Sequence, residues 1–240
     1  MHLDLSQRTD GKVLFGGLVL QWIVHSEGQP FRLVDFALAT YGSRVQLLSS
    51  RGEGWDGSIS TAISAEIDIT IGPGTLDFQV QAHHPDKVRV VKTVVQGLPD
   101  GLLRTIGANG TRRIGARHRP VEYPCEWPTP VVWLQPTDST KDRFVARCVS
   151  QPIARKAFSA RWRPSGDTEL VLYEEAHAPK YGADFTGSLW HLACTRSVIG
   201  ELDAHGRELG QVRGLLPFEE RQDIDRKSTR LNSSHIWISR

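Results

Sequence analysis

Residues 66–82 read EIDITIGPGTLDFQVQA, and this stretch decides the fold class. An apolar residue at every second position indicates a strand with one buried face. The two halves are joined by residues 72–75, GPGT, which are turn formers. The stretch therefore predicts an antiparallel hairpin. Its alternating apolar positions are Ile67, Ile69, Ile71, Leu76, Phe78, Val80 and Ala82.

Working outward, residues 87–96 form a third predicted strand, rich in β-branched residues. Its alternation shifts at Val90 and Val91, which indicates a bulge or burial on both faces. We expect this strand to pair with the preceding one. The number of strand-like segments and their turn-rich spacing predict an all-β fold, a large two-sheet antiparallel β-sandwich of the supersandwich type. The other predicted strands are 12–25, 32–40, 43–48, 131–134, 143–149, 156–162, 169–173 and 189–194.

The C-terminal part departs from this pattern. Apolar residues at helical intervals predict one short helix over residues 198–213, despite three glycines. Pro217 then marks an exit linker, because proline cannot continue a helix. The expected organisation is a β-sandwich domain over 1–197, a helix and exit linker toward a missing catalytic domain over 198–224, and a non-native tail over 225–240.

The tail is set apart by its wording. Residues 225–235, DRKSTRLNSSH, look like the translation of a sequencing adapter, so we expect the natural chain to continue past Ile224. The tail has four basic residues and one acidic one, so residues 1–224 of this chain of net charge +2 carry about −1. No basic excess then marks a nucleic-acid or membrane partner. The N-terminus lacks the pattern of a signal peptide, which favours a cytoplasmic location.

No cofactor and no metal site are predicted. The adjacent His83 and His84 would point to opposite faces of a strand, so residues 83–86 are expected to form a turn. Glu174 and His177 are expected in a solvated loop. Three cysteines, Cys125, Cys148 and Cys194, cannot all pair and are expected as reduced or buried thiols.

Candidate carbohydrate contacts are drawn from the loops. In residues 51–57, RGEGWDG, Glu53 and Asp56 flank Trp55, and glycoside hydrolysis requires two carboxyl groups at a fixed separation. Three glycines in seven residues equally describe an exposed loop, so no catalytic residue is assigned. Trp55 and Trp127 lie in predicted loops, where an aromatic face can stack on a sugar. The candidate carbohydrate-binding residues are Trp55, Glu53, Asp56 and Trp127, whereas Trp22, Trp133, Trp162 and Trp190 lie in predicted strands and are expected in the core.

Four segments in order carry a family resemblance: 68–81, the strand 87–96 followed by GLP at 97–99, TPVVWL at 129–134, and LPFEER at 216–221. Over residues 10–222 the chain resembles the N-terminal β-sandwich of glycoside hydrolases whose catalytic (β/α)₈ barrel follows, most of all the α-galactosidase-related group. The resemblance implies a non-catalytic sandwich with two partners, carbohydrate and a missing C-terminal catalytic domain of the same chain. Catalytic carboxylates in that group lie in the barrel, so none is assigned here.

Two alternatives stay open. One is a stand-alone carbohydrate-binding or interaction sandwich, without any barrel. The other is a lipocalin-like β-barrel enzyme with His118, His177 or His191 as general acid or base, because histidine titrates near neutral pH. The second alternative requires histidines and carboxylates to converge in one enclosed polar cavity.

Overall fold

The computed structural model describes residues 3–107, 110–114, 120–123, 129–148, 150, 155–176 and 182–212. These residues form twenty strands, one 3₁₀ turn at Arg8–Asp10 and one helix, α1, at Val198–Val212. The first ten strands are β1 (Leu3–Asp4), β2 (Val13–Phe15), β3 (Leu18–Ser26), β4 (Pro30–Val34), β5 (Ala37–Tyr41), β6 (Arg44–Ser49), β7 (Arg51–Gly54), β8 (Ile59–Ser60), β9 (Ser64–Gly72) and β10 (Thr75–His83). The others are β11 (Val88–Leu98), β12 (Gly101–Gly107), β13 (Gly110–Ile114), β14 (Val121–Tyr123), β15 (Val131–Pro136), β16 (Arg143–Cys148), β17 (Lys156–Trp162), β18 (Thr168–Glu175), β19 (Asp184–Thr186) and β20 (Trp190–Thr195).

The strands form two antiparallel sheets. The first sheet has the order β14-β17-β18-β11-β3-β4-β7-β8, with β2 beside β3 and β1 beside β2. The second sheet has the order β13-β12-β15-β16-β20-β10-β9-β6-β5, with β19 beside β10. The predicted all-β sandwich is confirmed.

Apolar side chains from both sheets fill the space between them. At the centre, the Trp22 ring meets Phe78 of the second sheet edge-to-face with centroids 5.9 Å apart, and it meets Phe36 in the same way at 6.1 Å. All three rings are buried. Two sheets packed on an apolar core differ from the lipocalin-like barrel considered as an alternative, which needed a polar interior. Of its three histidines, His191 lies on the outer face of the second sheet, and His118 and His177 fall outside the described residues.

The predicted hairpin over residues 66–82 is confirmed as β9 and β10. Ile71 pairs with Leu76 and Ile69 with Phe78, so the alternating apolar residues share the inner face. Gly74, in the connecting turn, has a φ of 75°, which glycine adopts without steric cost.

Two predicted strands prove to be two strands each. Residues 12–25 contain β2 and β3, because Gly16 and Gly17 both have positive φ and turn the chain back. Residues 32–40 contain β4 in the first sheet and β5 in the second. Between them Asp35 has a φ of 54°, which bends the chain from one sheet to the other.

The strand after the hairpin, β11, was expected to pair with β10, and that prediction is wrong. The turn at 84–87 carries the chain across to the first sheet, where β11 lies between β3 and β18. Of the two explanations for the shifted alternation at Val90 and Val91, a bulge is present just before them, because the register with β3 shifts between Val88 and Val90.

Three of the four tryptophans predicted to be buried are buried in the structure. Trp22, Trp133 and Trp190 lie in the core as expected. Trp162 does not, because it is the last residue of β17 and is 44% exposed.

The predicted helix is confirmed as α1, which lies on the outer face of the second sheet through contacts with β15 and β16. The predicted linker over 213–224 and the tail over 225–240 fall outside the described residues. Of the helices in the described part of the chain, none is long and apolar enough to cross a membrane.

Candidate functional site

A cleft of about 440 Å³ lies on the outer face of the first sheet, over its central strands. Its floor follows from the strand register, because alternate residues of a strand share a face. Lys92 of β11 lies between Ile23 of β3 and Tyr173 of β18, and in the next row Val94 lies beside Gln21. The inward-facing neighbours of these residues build the core, so the residues of the cleft are those left on the outer side. The volume falls in the range of about 300–1,000 Å³ that is usual for small-molecule sites.

One end of the cleft is a fixed polar network around the buried carboxylate of Glu169. Arg161 Nε lies 2.6 Å from Glu169 Oε1, and Gln96 Nε2 donates a hydrogen bond of 2.9 Å to Oε2. Both carboxylate oxygens are therefore occupied. The network presents a rigid wall of hydrogen-bonding groups.

The middle of the cleft contains Tyr173 and Lys92. The Tyr173 hydroxyl lies 2.9 Å from Ser159 Oγ, and Lys92 Nζ lies over the Tyr173 ring, 5.0 Å from its centroid. Burial lowers the pKa of Lys92 from its ordinary value of 10.5. The ammonium group is thus partly removed from water.

Gln21 lies beside these residues with its hydrogen-bonding capacity unmet. The residue is only 9% exposed, and its Nε2 has no hydrogen-bond partner in the described part of the protein. Buried donors are paired in the large majority of cases, because an unmet one costs about 1–3 kcal/mol. An unpartnered amide in the lining of a cleft is a feature that a bound polar molecule would complete.

Trp55 forms the opposite rim and is 77% exposed. It lies in the turn between β7 and β8, where Asp56 Oδ1 accepts hydrogen bonds from Ser58 N at 3.0 Å and Ser58 Oγ at 2.6 Å. These hydrogen bonds lower the pKa of Asp56. They also hold the turn in one conformation, so the indole is presented on a defined support.

The structure describes three of the four candidate carbohydrate-binding residues, and each of the three is in a different situation. Trp55 lines the cleft. Glu53 forms an ion pair with Arg32, which also lines the cleft, and Asp56 is engaged within its own turn. Trp127 lies outside the described residues.

The sequence did not single out Gln21, Lys92, Gln96 or Tyr173. Their signal was present but weak: single polar residues such as Gln21 and Lys92 within β3 and β11, two strands that are otherwise strongly apolar. Only the pairing of β11 with both β3 and β18 brings these residues to one place.

A second cavity of about 540 Å³ lies on the second sheet between β5, β6, β9, β10 and β19. Its polar groups are largely paired with one another or with neighbours. His83 Nδ1 lies 2.7 Å from Asp184 Oδ1, Gln46 Nε2 donates to Glu66 at 2.6 Å, and Ser49 Oγ is bonded to backbone oxygens. Because its charged groups are already paired and no aromatic side chain of its described lining is presented on an exposed rim, this cavity is the weaker candidate for a saccharide site.

No metal centre is found in the described part of the chain, where no group of three His, Cys, Asp or Glu residues could hold an ion. The turn expected at residues 83–86 is confirmed. His83 turns outward to Asp184, whereas His84 is buried and stacks on Phe31 with centroids 5.4 Å apart. The two imidazoles therefore serve separate structural contacts.

The two described cysteines are poor nucleophiles. Cys148 and Cys194 are free thiols, and Cys125 lies outside the described residues. Burial raises the pKa of Cys148 to about 12 and that of Cys194 to about 11, so both remain protonated at neutral pH.

Glu174 was expected in a solvated loop, and that prediction is wrong. It belongs to β18 and is buried. Its carboxylate accepts hydrogen bonds from Ser188 N at 2.8 Å and from Trp190 Nε1 at 3.3 Å. Glu174 thus ties the first sheet to the segment that leads into β20, and His177 lies outside the described residues.

No protein-family model and no curated protein sequence matches this chain. Among solved structures, the chain is similar to a galactose mutarotase related enzyme from Lactobacillus acidophilus. The two share 8% identity with a TM-score of 0.40, over 73% of this chain and 79% of the other. At these values the likeness carries no information about what this chain binds.

Proposed function

We propose that the chain is a carbohydrate-binding β-sandwich that takes a saccharide in the cleft of the first sheet. The observation that carries the proposal is one cleft that contains both the exposed Trp55 indole and the buried Gln21 Nε2, which has no hydrogen-bond partner among the described residues. A pyranose ring has an apolar face that stacks on an aromatic ring and a rim of hydroxyls that donate and accept hydrogen bonds. The cleft supplies a surface for each.

The role is non-catalytic. Glycoside hydrolysis needs one carboxyl group that exchanges a proton and a second that acts as base or nucleophile. Among the described residues of the cleft, Glu169 is held by Arg161 and Gln96, and the neighbouring Glu53 is held by Arg32. Both carboxylates are therefore engaged by side chains of the protein instead of being presented to a glycosidic bond.

We further propose that the sandwich acts beside the catalytic barrel of a glycoside hydrolase, encoded beyond residue 224. This part rests on the resemblance of residues 10–222 to the N-terminal sandwich of such enzymes. The gene sequence downstream of codon 224 tests it directly. A continuing frame that encodes a barrel supports it, and an immediate stop codon would favour a stand-alone binding module.

Binding is tested by affinity electrophoresis of the full chain in gels that contain neutral and acidic polysaccharides. We expect retardation in at least one gel. Replacing Trp55 with Ala should weaken that binding about fivefold or more, because a stacked aromatic is typically an affinity hot spot. Trp162→Ala is the matched control, since Trp162 is also exposed but does not belong to the cleft lining.

Two results would contradict the proposal. One is retardation in no gel. The other is equal retardation of the Trp55→Ala variant and the wild type, which would place binding elsewhere. Turnover of aryl glycosides by the purified chain would contradict the non-catalytic role.

A further inference from the structure

We propose that the cleft is selective for acidic saccharides, with the carboxylate of a hexuronate residue bound between Lys92 and Gln21. The inference rests on the proposed carbohydrate binding and goes further by naming the class of sugar.

Among the described residues of the cleft, one cation has no carboxylate partner. Of its three basic side chains, Arg161 is paired with Glu169 and Arg32 with Glu53. Lys92 forms no ion pair within the described part of the protein, and its contact there is the face of the Tyr173 ring. A half-buried cation with only a π partner gains most from an anion, because the pair forms away from bulk water.

The neighbours of Lys92 on the sheet do not supply that anion. Glu175, which lies opposite Val90 on β18, is paired with Arg155 at 3.2 Å. His25 lies on the same face of β3, opposite Val90. Burial and the nearby charge of Lys92 lower the pKa of His25 to about 4, so the imidazole is neutral at neutral pH. Ile23, directly opposite Lys92, is apolar.

Gln21 supplies a second donor within reach of the same acceptor. It pairs with Val94 and therefore lies diagonal to Lys92 on the face of the sheet. Diagonal neighbours on adjacent strands are separated by about 7–8 Å, close enough for one small group to bridge two long side chains. A carboxylate has four lone-pair sites and accepts from both donors at once.

A hexuronate fits this arrangement better than a neutral hexose does. It carries a carboxylate where the neutral sugar carries a hydroxymethyl group, and hydrogen bonds to charged acceptors are roughly twice as strong as neutral ones. Its ring still offers an apolar face to Trp55 and hydroxyls to the Glu169 network. Trp55 on the rim thus favours ligands with a sugar ring, and Lys92 and Gln21 favour sugars that carry a carboxylate.

The test is isothermal titration of the full chain with matched oligosaccharides. The probes are tetragalacturonate with its methyl ester, and tetraglucuronate with cellotetraose, so each pair differs at the carboxyl group. We expect at least one acid to bind about tenfold or more tightly than its neutral counterpart. Lys92→Met should remove this preference, Lys92→Arg should keep part of it, and Lys141→Met, at an exposed lysine in a turn of the second sheet, should leave it unchanged.

Three outcomes would overturn the inference. Equal or tighter binding of the neutral sugars would remove the charge selection but leave carbohydrate binding intact. A preference retained by Lys92→Met would place the anion elsewhere. Equally tight binding of tetraglutamate would show that the cleft recognises carboxylates without the sugar ring. If every saccharide fails to bind and the polysaccharide gels also show no retardation, the proposed function itself has failed.

Discussion

Gly52 shows how a single residue in the glycine-rich stretch 51–57 serves packing. A Cβ at this position would lie 2.7 Å from Phe31 Cβ and 2.9 Å from Ile63 Cγ2, closer than carbon atoms approach. Gly52 therefore lets β7 pair with β4 while Phe31 and Ile63 pack closely against its backbone. Although its composition is typical of a loop, this stretch contains the strand β7.

Replacing Gly52 with Ala should destabilise the protein by about 1–3 kcal/mol, because the added methyl group meets buried carbons that cannot move far. Urea unfolding followed by tryptophan fluorescence measures the change. Gly200→Ala is the control: its Cβ meets nothing within 4 Å in α1, so helix propensity should stabilise the protein by up to about 1 kcal/mol. Equal stability of Gly52→Ala and wild type would contradict the tight packing.

Trp55 marks the limit of what single residues reveal. An aromatic between glycines and carboxylates indicates an exposed contact, and the structure places it on the rim of the cleft. The sequence could not show that the neighbouring Glu53 would form an ion pair with Arg32, which lies on another strand. The chemistry of a carboxylate depends on such a partner, and the partner is 21 residues away.

At the level of elements, local pairing could be predicted and distant pairing could not. The β9–β10 hairpin is specified by two alternating runs and a four-residue turn, all contained in seventeen residues. The partners of β11 are β3 and β18, each more than sixty residues away, and no local pattern encodes them. The cleft depends on these pairings, so its position could not be predicted from the sequence.

The helix α1 illustrates how a polar contact fixes one element. Val198 and Leu202 pack on Trp133 and its apolar neighbours on the second sheet. Beside them the buried Arg147 of β16 has Nε 3.1 Å from Glu201 Oε2, and it also pairs with Glu208. Both carboxylates belong to α1, so Arg147 binds the helix to the second sheet at two positions along its length.

Arg147→Ala should loosen α1, because it leaves Glu201 without its guanidinium partner in a partly buried place. We expect a loss of about 2 kcal/mol in the free energy of unfolding, together with faster hydrogen exchange confined to α1 and β16. Arg44→Ala is the control, since Arg44 is exposed and its nearest carboxylate atom lies 3.9 Å away. Unchanged exchange in α1 would show that the apolar contacts alone hold the helix.

At the scale of the whole molecule, three histidines link stability to pH in opposite directions. Burial and the positive charges of Lys92 and Arg147 lower the pKa of His25 and His205, each to about 4. Burial alone would also lower the pKa of His191, but hydrogen bonds to Asp77 and Glu201 outweigh it and raise the pKa to about 9. All three residues titrate near 6.5 in the unfolded chain.

These opposite pKa shifts give a maximum of stability near pH 6.5. Below that value the unfolded chain protonates His25 and His205 before the folded protein does, so stability falls as the pH decreases toward 4. Above it the folded protein keeps the proton on His191 that the unfolded chain has lost. The contribution of His191 is therefore complete below pH 6.5 and disappears as the pH rises through about 9.

His191→Gln separates the acid part of the stability profile from the alkaline part, because it removes the histidine that titrates on the alkaline side and leaves His25 and His205 in place. Unfolding free energies of the variant and the wild type, measured by urea titration at intervals from pH 5 to pH 9, should converge toward the alkaline end. At pH 6 the wild type should be more stable by on the order of 1–2 kcal/mol, after allowance for the water that reaches this site. His205→Gln is the opposite control. It should reduce the loss of stability on the acid side, because the lowered pKa of His205 acts below pH 6.5. A wild-type profile that rises from pH 6.5 to pH 9, or a difference between wild type and variant that stays constant over this range, would contradict the role of His191 as the proton held between Asp77 and Glu201.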